Sequence, residues 1–359
     1  MTARTRPCFG GRRGRFRALT AVAAVVAFGV CAAACGGGGG WKAPHKGQAA
    51  VLLDAKLDTG TSGRDDAAYL GFANPVRGLT VGSDHALYSL SSRLVRVGSD
   101  RKATAVIDDG LDSASGLVAL PHAAFAISTS AGVERVSGGR LTVIAGTAGR
   151  PRALGTPVPA SAPAAGFHFA TGGPVPLAAR ADGSLLIADT DVVWSLKDGR
   201  LTRLYHLPAA RTKAGDTLAA FGAVDRSGTV YVAAGQRLAD ITAIGTDGTA
   251  RPLTLPASVP GVTGSPAGLA LAWLTGDGAD GVYALATGAN RGYVLHLHGG
   301  TAQLVARDRP GAPHDSCGLS HPVDATDLTC GLPTALAYDS DGSLYLGGQA
   351  AYVLKIAVA

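Results

Sequence analysis

Between residues 174 and 205 short apolar runs alternate with polar two-residue breaks. The pattern predicts four strands, at 177–180, 184–189, 192–197 and 201–205. Asp182-Gly183, Thr190-Asp191 and Asp198-Gly199 supply the turns between them. Asp-Gly suits the type I′ hairpin turn, whose two central residues both need positive φ. Related patterns recur. A first unit has strands at 78–81, 86–90, 94–97 and 103–107, and a second at 117–120, 124–128, 133–136 and 141–145. A fourth has 222–225, 229–233, 240–245 and 250–255, and a fifth 268–273, 281–286, 293–298 and 302–306. The sixth, at 335–339, 343–346 and 351–356, holds only three strands, and one unassigned strand remains at 49–57.

Leu185-Leu186-Ile187-Ala188 and Leu344-Tyr345-Leu346 are apolar at consecutive positions. Both faces of such strands are buried, as when small sheets stack around an axis. Pairing the strand at 49–57 into the three-stranded last unit completes it and removes two exposed edges. The expectation is therefore an all-β, six-bladed β-propeller closed by its N-terminal strand, spanning 49–359. No stretch of this body shows a 3.6-residue period with capping residues, which argues against a doubly wound α/β fold.

Composition changes the picture mainly at the N-terminus. The chain of 359 residues carries 32 Lys and Arg, 26 Asp and Glu, and 51 Gly. Arg4, Arg6, Arg12, Arg13, Arg15 and Arg17 precede residue 35 with no acid among them, so 26 bases and 26 acids balance in the remainder. That neutral body has no basic stripe for nucleic acid. After the arginines comes an apolar run, 18–34, ending Ala32-Ala33-Ala34-Cys35 and followed by Gly36–Gly40. The run is short for a spanning helix and has the order of an export signal. Small residues before Cys35 resemble the bacterial lipobox, although Ala32 stands where Leu or Val is usual. The expectation is a signal peptide at 1–34, a lipidated Cys35, and a Gly-rich tether over 35–48 holding the domain outside the cytoplasmic membrane. Ordinary cleavage after Ala34 is the alternative. Arg12-Arg13 invites a twin-arginine route, but Phe16 lies one place late for it, and general secretion stays open.

Several segments resemble an NHL repeat. The fullest copy is Ile144-Ala145-Gly146, the stretch 160–165, then Pro176 through Thr190 and Val192 through Gly199. The stretches 73–81 and 332–342 are weaker copies, and Asp191-Val192-Val193 departs from the Asn-His-Arg that often follows Asp-Thr in that family. The resemblance implies the propeller well and the activity poorly, since NHL-like propellers bind proteins or other ligands and some relatives are lyases. Propeller lactonases hold a divalent metal with a channel Glu plus Asn and Asp. Here Glu134 is the only glutamate, on a third strand, and Asn74 and Asn290 are the only asparagines.

Strand alternation puts the Asp-Gly turns on one face of the disc and the interblade connections on the other. The long insertions, at 58–74, 146–173, 208–219, 256–266 and 307–332, are all interblade. Loops of that length carry function more often than short ones, so the binding surface is expected on their face. The last insertion holds His314, Asp315, Cys317, His321, Asp324, Asp327 and Cys330. With Cys35 lipidated, Cys317 and Cys330 are the remaining thiols after export, and a disulfide follows in an oxidising compartment. A Cys/His/Asp metal site there is the alternative, with a spacing unlike standard zinc patterns. His296-x-His298 places two imidazoles on one strand face. Neither a Gly-x-Ser-x-Gly elbow nor a Walker loop occurs. No residues are assigned to catalysis, a cofactor or a metal. The leading reading is a ligand- or protein-binding module, with His314, Asp315, His321, Asp324 and Asp327 as candidate binding residues. A propeller hydrolase or lyase acting on a small molecule or cell-wall fragment is the alternative.

Overall fold

The computed structural model describes residues 41–54, 76–108, 110–213, 215–315, 317–348 and 352–359. The expected signal peptide at 1–34, Cys35 and the whole first interblade insertion at 58–74 lie outside these residues. Among the described residues six antiparallel sheets form, five of them from chain-consecutive strands and the sixth from the last strands joined by the first. Their inner strands are Gly78–Val81, Ser115–Leu120, Pro174–Ala179, Leu218–Val224, Ala270–Gly276 and Ala335–Asp339. Each touches the next in chain order, and the last touches the first. The result is a closed six-bladed propeller.

Closure runs through the N-terminal strand, Gln48–Asp54, which pairs antiparallel with the final strand, Tyr352–Ala357. Ala49 stands opposite Ile356, Ala50 opposite Lys355 and Val51 opposite Leu354. Head and tail thus share one blade. The chain just before this strand is also packed: Trp41 Nε1 donates to the Val51 carbonyl at 2.8 Å, and Arg101 lies over the Trp41 ring at 5.6 Å.

Strands buried on both faces make the wedge between blades. All residues of Leu185–Asp189 and of Ser343–Gly347 are buried. Ala126 and Val133 of the second blade pack with Ile187 and Trp194 of the third in one apolar cluster. Burying each Val, Leu or Ile side chain among them contributes about 1.5–3 kcal/mol. Inner strands have no partner on the channel side, so Pro174 and Pro176 sit within one without breaking a ladder.

Two short edge strands escape the apolar pattern. Ser161–Pro163 extends the third blade beside Arg200–His206, and Val323–Asp324 extends the sixth beside Gln48–Asp54. Turn chemistry also differs from expectation at one Asp-Gly. Asp198 and Gly199 have φ of 49° and 72°, as a type I′ turn requires. At Asp182-Gly183 only Gly183 is positive, at 82°. There the Arg180 amide bonds the Ser184 carbonyl at 2.8 Å and the Gly183 amide bonds the Arg180 carbonyl at 3.0 Å, a type I turn with a bulge. The cause is local: Asp182 Oδ1 accepts from the Ser184 amide and hydroxyl, at 3.0 and 2.7 Å, which holds Asp182 out of the left-handed region.

Candidate functional site

Among the described residues, three of the concavities along the propeller axis and faces bear on a site. The first is axial, about 360 Å³, and lined by the inner strands. Its wall mixes backbone polar atoms with apolar side chains, among them Leu79, Leu117, Leu177 and Leu336, and Phe221 stacks on Trp273 at 5.6 Å. No carboxylate or side-chain amide is among its lining residues. That wall does not fit a divalent cation, which takes oxygen ligands from carboxylates and carbonyls. Glu134 lies away from it, in the third strand of the second blade.

The second concavity, about 760 Å³, opens on the interblade-loop face of the fifth blade. Three segments build it. Gly268 and Ala270 come from the entry to the inner strand, and Thr287 to Gly292 from the turn between Gly281–Gly288 and Arg291–His298. Asp308, Gly311, Ala312 and His314 come from the insertion that leaves the blade. Ala289 and Asn290 both have positive φ, 52° and 59°, giving the tight turn that sets Asn290 and Arg291 at the rim. Asp308, 5% exposed, anchors the far wall. Its Oδ1 accepts the Gly292 amide at 2.7 Å and its Oδ2 the Leu332 amide at 2.9 Å. Burial pushes this carboxyl up, against the pull of those two amides and of His314 and Arg291.

A disulfide between Cys317 and Cys330, thirteen positions apart, closes the same insertion. Both cysteines join the core between the fifth and sixth blades. The Tyr352 hydroxyl donates to the Gly331 carbonyl beside this clamp.

The third concavity is a groove of about 570 Å³ between the fifth and sixth blades on the opposite face. Lys46, Gln48, His296, Gln303 and Asp324 line it. His296 Nε2 lies 2.8 Å from Asp277 Oδ2, and Asp277 Oδ1 accepts the amides of Ala279 and Gly281 at 2.7 and 3.1 Å. Burial pushes the Asp277 carboxyl up, but these hydrogen bonds together outweigh it and hold the group below its usual range. The His296 ring stacks on Tyr283 at 4.6 Å and on His298 at 6.1 Å. Burial, with the charges of Tyr338 and Asp277, lifts the Tyr283 hydroxyl to about 12. His298 Nδ1 in turn lies 3.1 Å from Asp280 Oδ1. The two imidazoles share a strand face as their spacing implies, each with its own carboxylate.

The five residues singled out in the 307–332 insertion are dispersed. His314 lines the loop-face cavity and its ring lies over Gly331. Asp324 lines the groove, where its Oδ1 accepts from the Thr326 amide and hydroxyl, both at 2.8 Å. Asp327 holds Arg309 through two contacts, 3.0 and 2.7 Å. His321 Nδ1 lies 3.0 Å from the Ser320 hydroxyl, and Asp315 is exposed on the insertion. Among the described residues no group of three or more His, Cys, Asp or Glu could hold a metal ion.

Sequence reasoning passed over Arg291 and Asp277, which lie on blade strands and turns rather than in a long insertion. It also left the 146–173 insertion without a charged anchor. There Arg152 reaches Asp191 Oδ1 at 2.5 Å and Asp189 Oδ2 at 3.4 Å. Asp189 Oδ1 also takes the Ala170 amide at 2.6 Å. Asp189 and Asp191 are 0% and 1% exposed, so this triad pins the insertion to the blade.

No protein-family model matches the sequence, and no curated protein is similar to it. Solved structures do share the fold. A Bacteroides thetaiotaomicron protein of unknown function superposes with a TM-score of 0.60 at 14% identity, over 86% of this chain and 75% of that one. A streptogramin B lyase gives 0.52 at 13% identity, over 86% and 96%. A virginiamycin B lyase from Staphylococcus aureus gives 0.50 at 12%, over 79% and 94%. At these identities the likeness establishes the propeller and nothing finer.

Proposed function

We propose that the protein is an exported, lipid-anchored propeller of NHL type that binds a ligand on its interblade-loop face. Residues 1–34 would direct export and Cys35 would carry the lipid. One observation carries the binding reading: the cavity of about 760 Å³ at the fifth blade, walled by the disulfide-clamped insertion. Its size suits a small organic molecule, and its floor is held by the two amides on Asp308. Native mass spectrometry of the protein isolated from membranes tests this. A retained small molecule, lost when Ala312→Trp fills the cavity of the folded protein, supports the reading. Retention of the same molecule by Ala312→Trp overturns it.

A hydrolase or lyase reading is favoured by a separate observation, the His296–Asp277 pair in the groove. An imidazole fixed at Nε2 by a carboxylate, and stacked on a ring, is oriented for proton transfer at its other nitrogen. Two of the solved structures that share the fold are lyases. Under this reading His296→Gln abolishes turnover of a lactone or peptide ester while leaving ligand retention at the loop face unchanged. Turnover undiminished in His296→Gln removes the groove as a catalytic site.

A further inference from the structure

We propose that the loop-face cavity recognises an anionic group, a carboxylate or phosphate, through Arg291. The inference rests on the binding reading above and adds the chemistry of the ligand.

Among the described residues the Arg291 guanidinium has no hydrogen bond or ion pair, and it stands on the wall of this cavity. It lines the cavity half-buried. The one acid in that lining, Asp308, is committed elsewhere, since both of its oxygens take backbone amides. Asp327, the other acid of this insertion near Arg291, is held by Arg309.

The remaining polar groups at the cavity are donors or can donate: the His314 imidazole, the Asn290 amide and the Thr287 hydroxyl. A guanidinium presents planar paired N–H groups that match carboxylate and phosphate oxygens, and such charge-assisted bonds are about twice as strong as neutral ones. A cavity of about 760 Å³ has room for more than the anionic group itself, so the ligand is a small organic acid or phosphate ester. An anionic lipid headgroup carries the same chemistry, and the test separates the two sources.

Calorimetric titration of the full mature protein with citrate and with glycerol 3-phosphate, at constant ionic strength set by chloride, reads the site directly. Saturable binding by the wild type is expected, at least tenfold weaker in Arg291→Met and unchanged in Arg309→Met. Co-sedimentation with phosphatidylglycerol vesicles, with phosphatidylcholine vesicles as reference, forms the second arm. Lipid binding that requires Arg291 without binding of either soluble anion assigns the source as a headgroup and supports the proposal. Equal affinity in wild type and Arg291→Met for whichever anion binds, or no binding in either arm, overturns it. The two readings fail separately. An uncharged molecule retained by Arg291→Met and expelled by Ala312→Trp leaves the binding function standing while the anion chemistry falls.

Discussion

Ala49 stands directly opposite Ile356, and both are fully buried. This pairing is the seam of the ring. A carboxylate introduced there has no partner and no water. Ala49→Asp is therefore expected to lower stability by about 3–5 kcal/mol. Ala105→Asp, on the exposed outer strand of the first blade, should change it by less than about 0.5 kcal/mol. Urea unfolding of the two variants checks the contrast, and a small effect at position 49 would place the seam elsewhere.

Arg152 is the counter-charge for two buried carboxylates, Asp189 and Asp191. Arg152→Met leaves Asp189 without a counter-charge and Asp191 with only His206, at an expected cost of about 3–5 kcal/mol near neutral pH. Burial already pushes the Asp189 carboxyl up, so the folded state holds its proton more readily than the unfolded chain. For an acid raised in this way, stability falls as pH rises from the ordinary carboxylate value through the raised one. The deficit of Arg152→Met should therefore shrink on acidification, because a protonated Asp189 needs no counter-charge. Unfolding curves at pH 7.5 and at pH 4.5 compare the two conditions.

His85 bridges the first and last blades through Nδ1, 2.8 Å from Asp339 Oδ1. That hydrogen bond, and then the charge of Asp339, raises the imidazole above its ordinary value. The stabilisation is fully present below the unfolded histidine value and is lost as pH rises through the folded one. An NMR titration should find His85 raised in the wild type and returned towards an ordinary histidine in Asp339→Asn.

Reduction of the Cys317–Cys330 bond frees a loop whose ends are thirteen positions apart. The loss is expected to be about 3 kcal/mol. Because His314 lies just outside that loop and Leu332 takes Asp308 just beyond it, ligand affinity at the cavity should fall as well. Thermal unfolding and ligand titration of the paired Cys→Ser variant, against the oxidised protein, measure both effects.

The mature protein should begin at Cys35 and carry acyl mass, with two hydrogens missing for the disulfide. Intact mass of protein extracted from membranes reads all three together. A start at Cys35 without acyl mass would leave export standing and remove the anchor.

The blades were legible because strands buried on both faces write unbroken apolar runs, as in Leu185–Asp189, and because a three-stranded last unit calls for the strand at 48–54. The edge strands at 161–163 and 323–324 left no such trace, since a half-exposed rim strand needs no apolar periodicity. Asp182-Gly183 misled for a different reason: the dipeptide is compatible with two turns, and Ser184 decides between them. For the candidate site, loop length pointed to the insertion that walls the cavity with His314, but also to Asp324 and Asp327, which serve a tight turn and an ion pair. Arg291 carried no sequence signal. What marks it is its place on the cavity wall without a partner among the described residues, a property of neighbours brought together by folding.

The residues at 48–54 emerge from the ribosome early and lack their main partner until 352–357 have been made. Five blades can collapse in sequence as each hairpin appears, yet the ring stays ajar with one apolar rim uncovered. Completion is thus a late, long-range event, set by the slow search that distant contacts impose. A chain halted a few residues short of its last strand would expose that rim, and apolar surface left bare in this way is prone to aggregate.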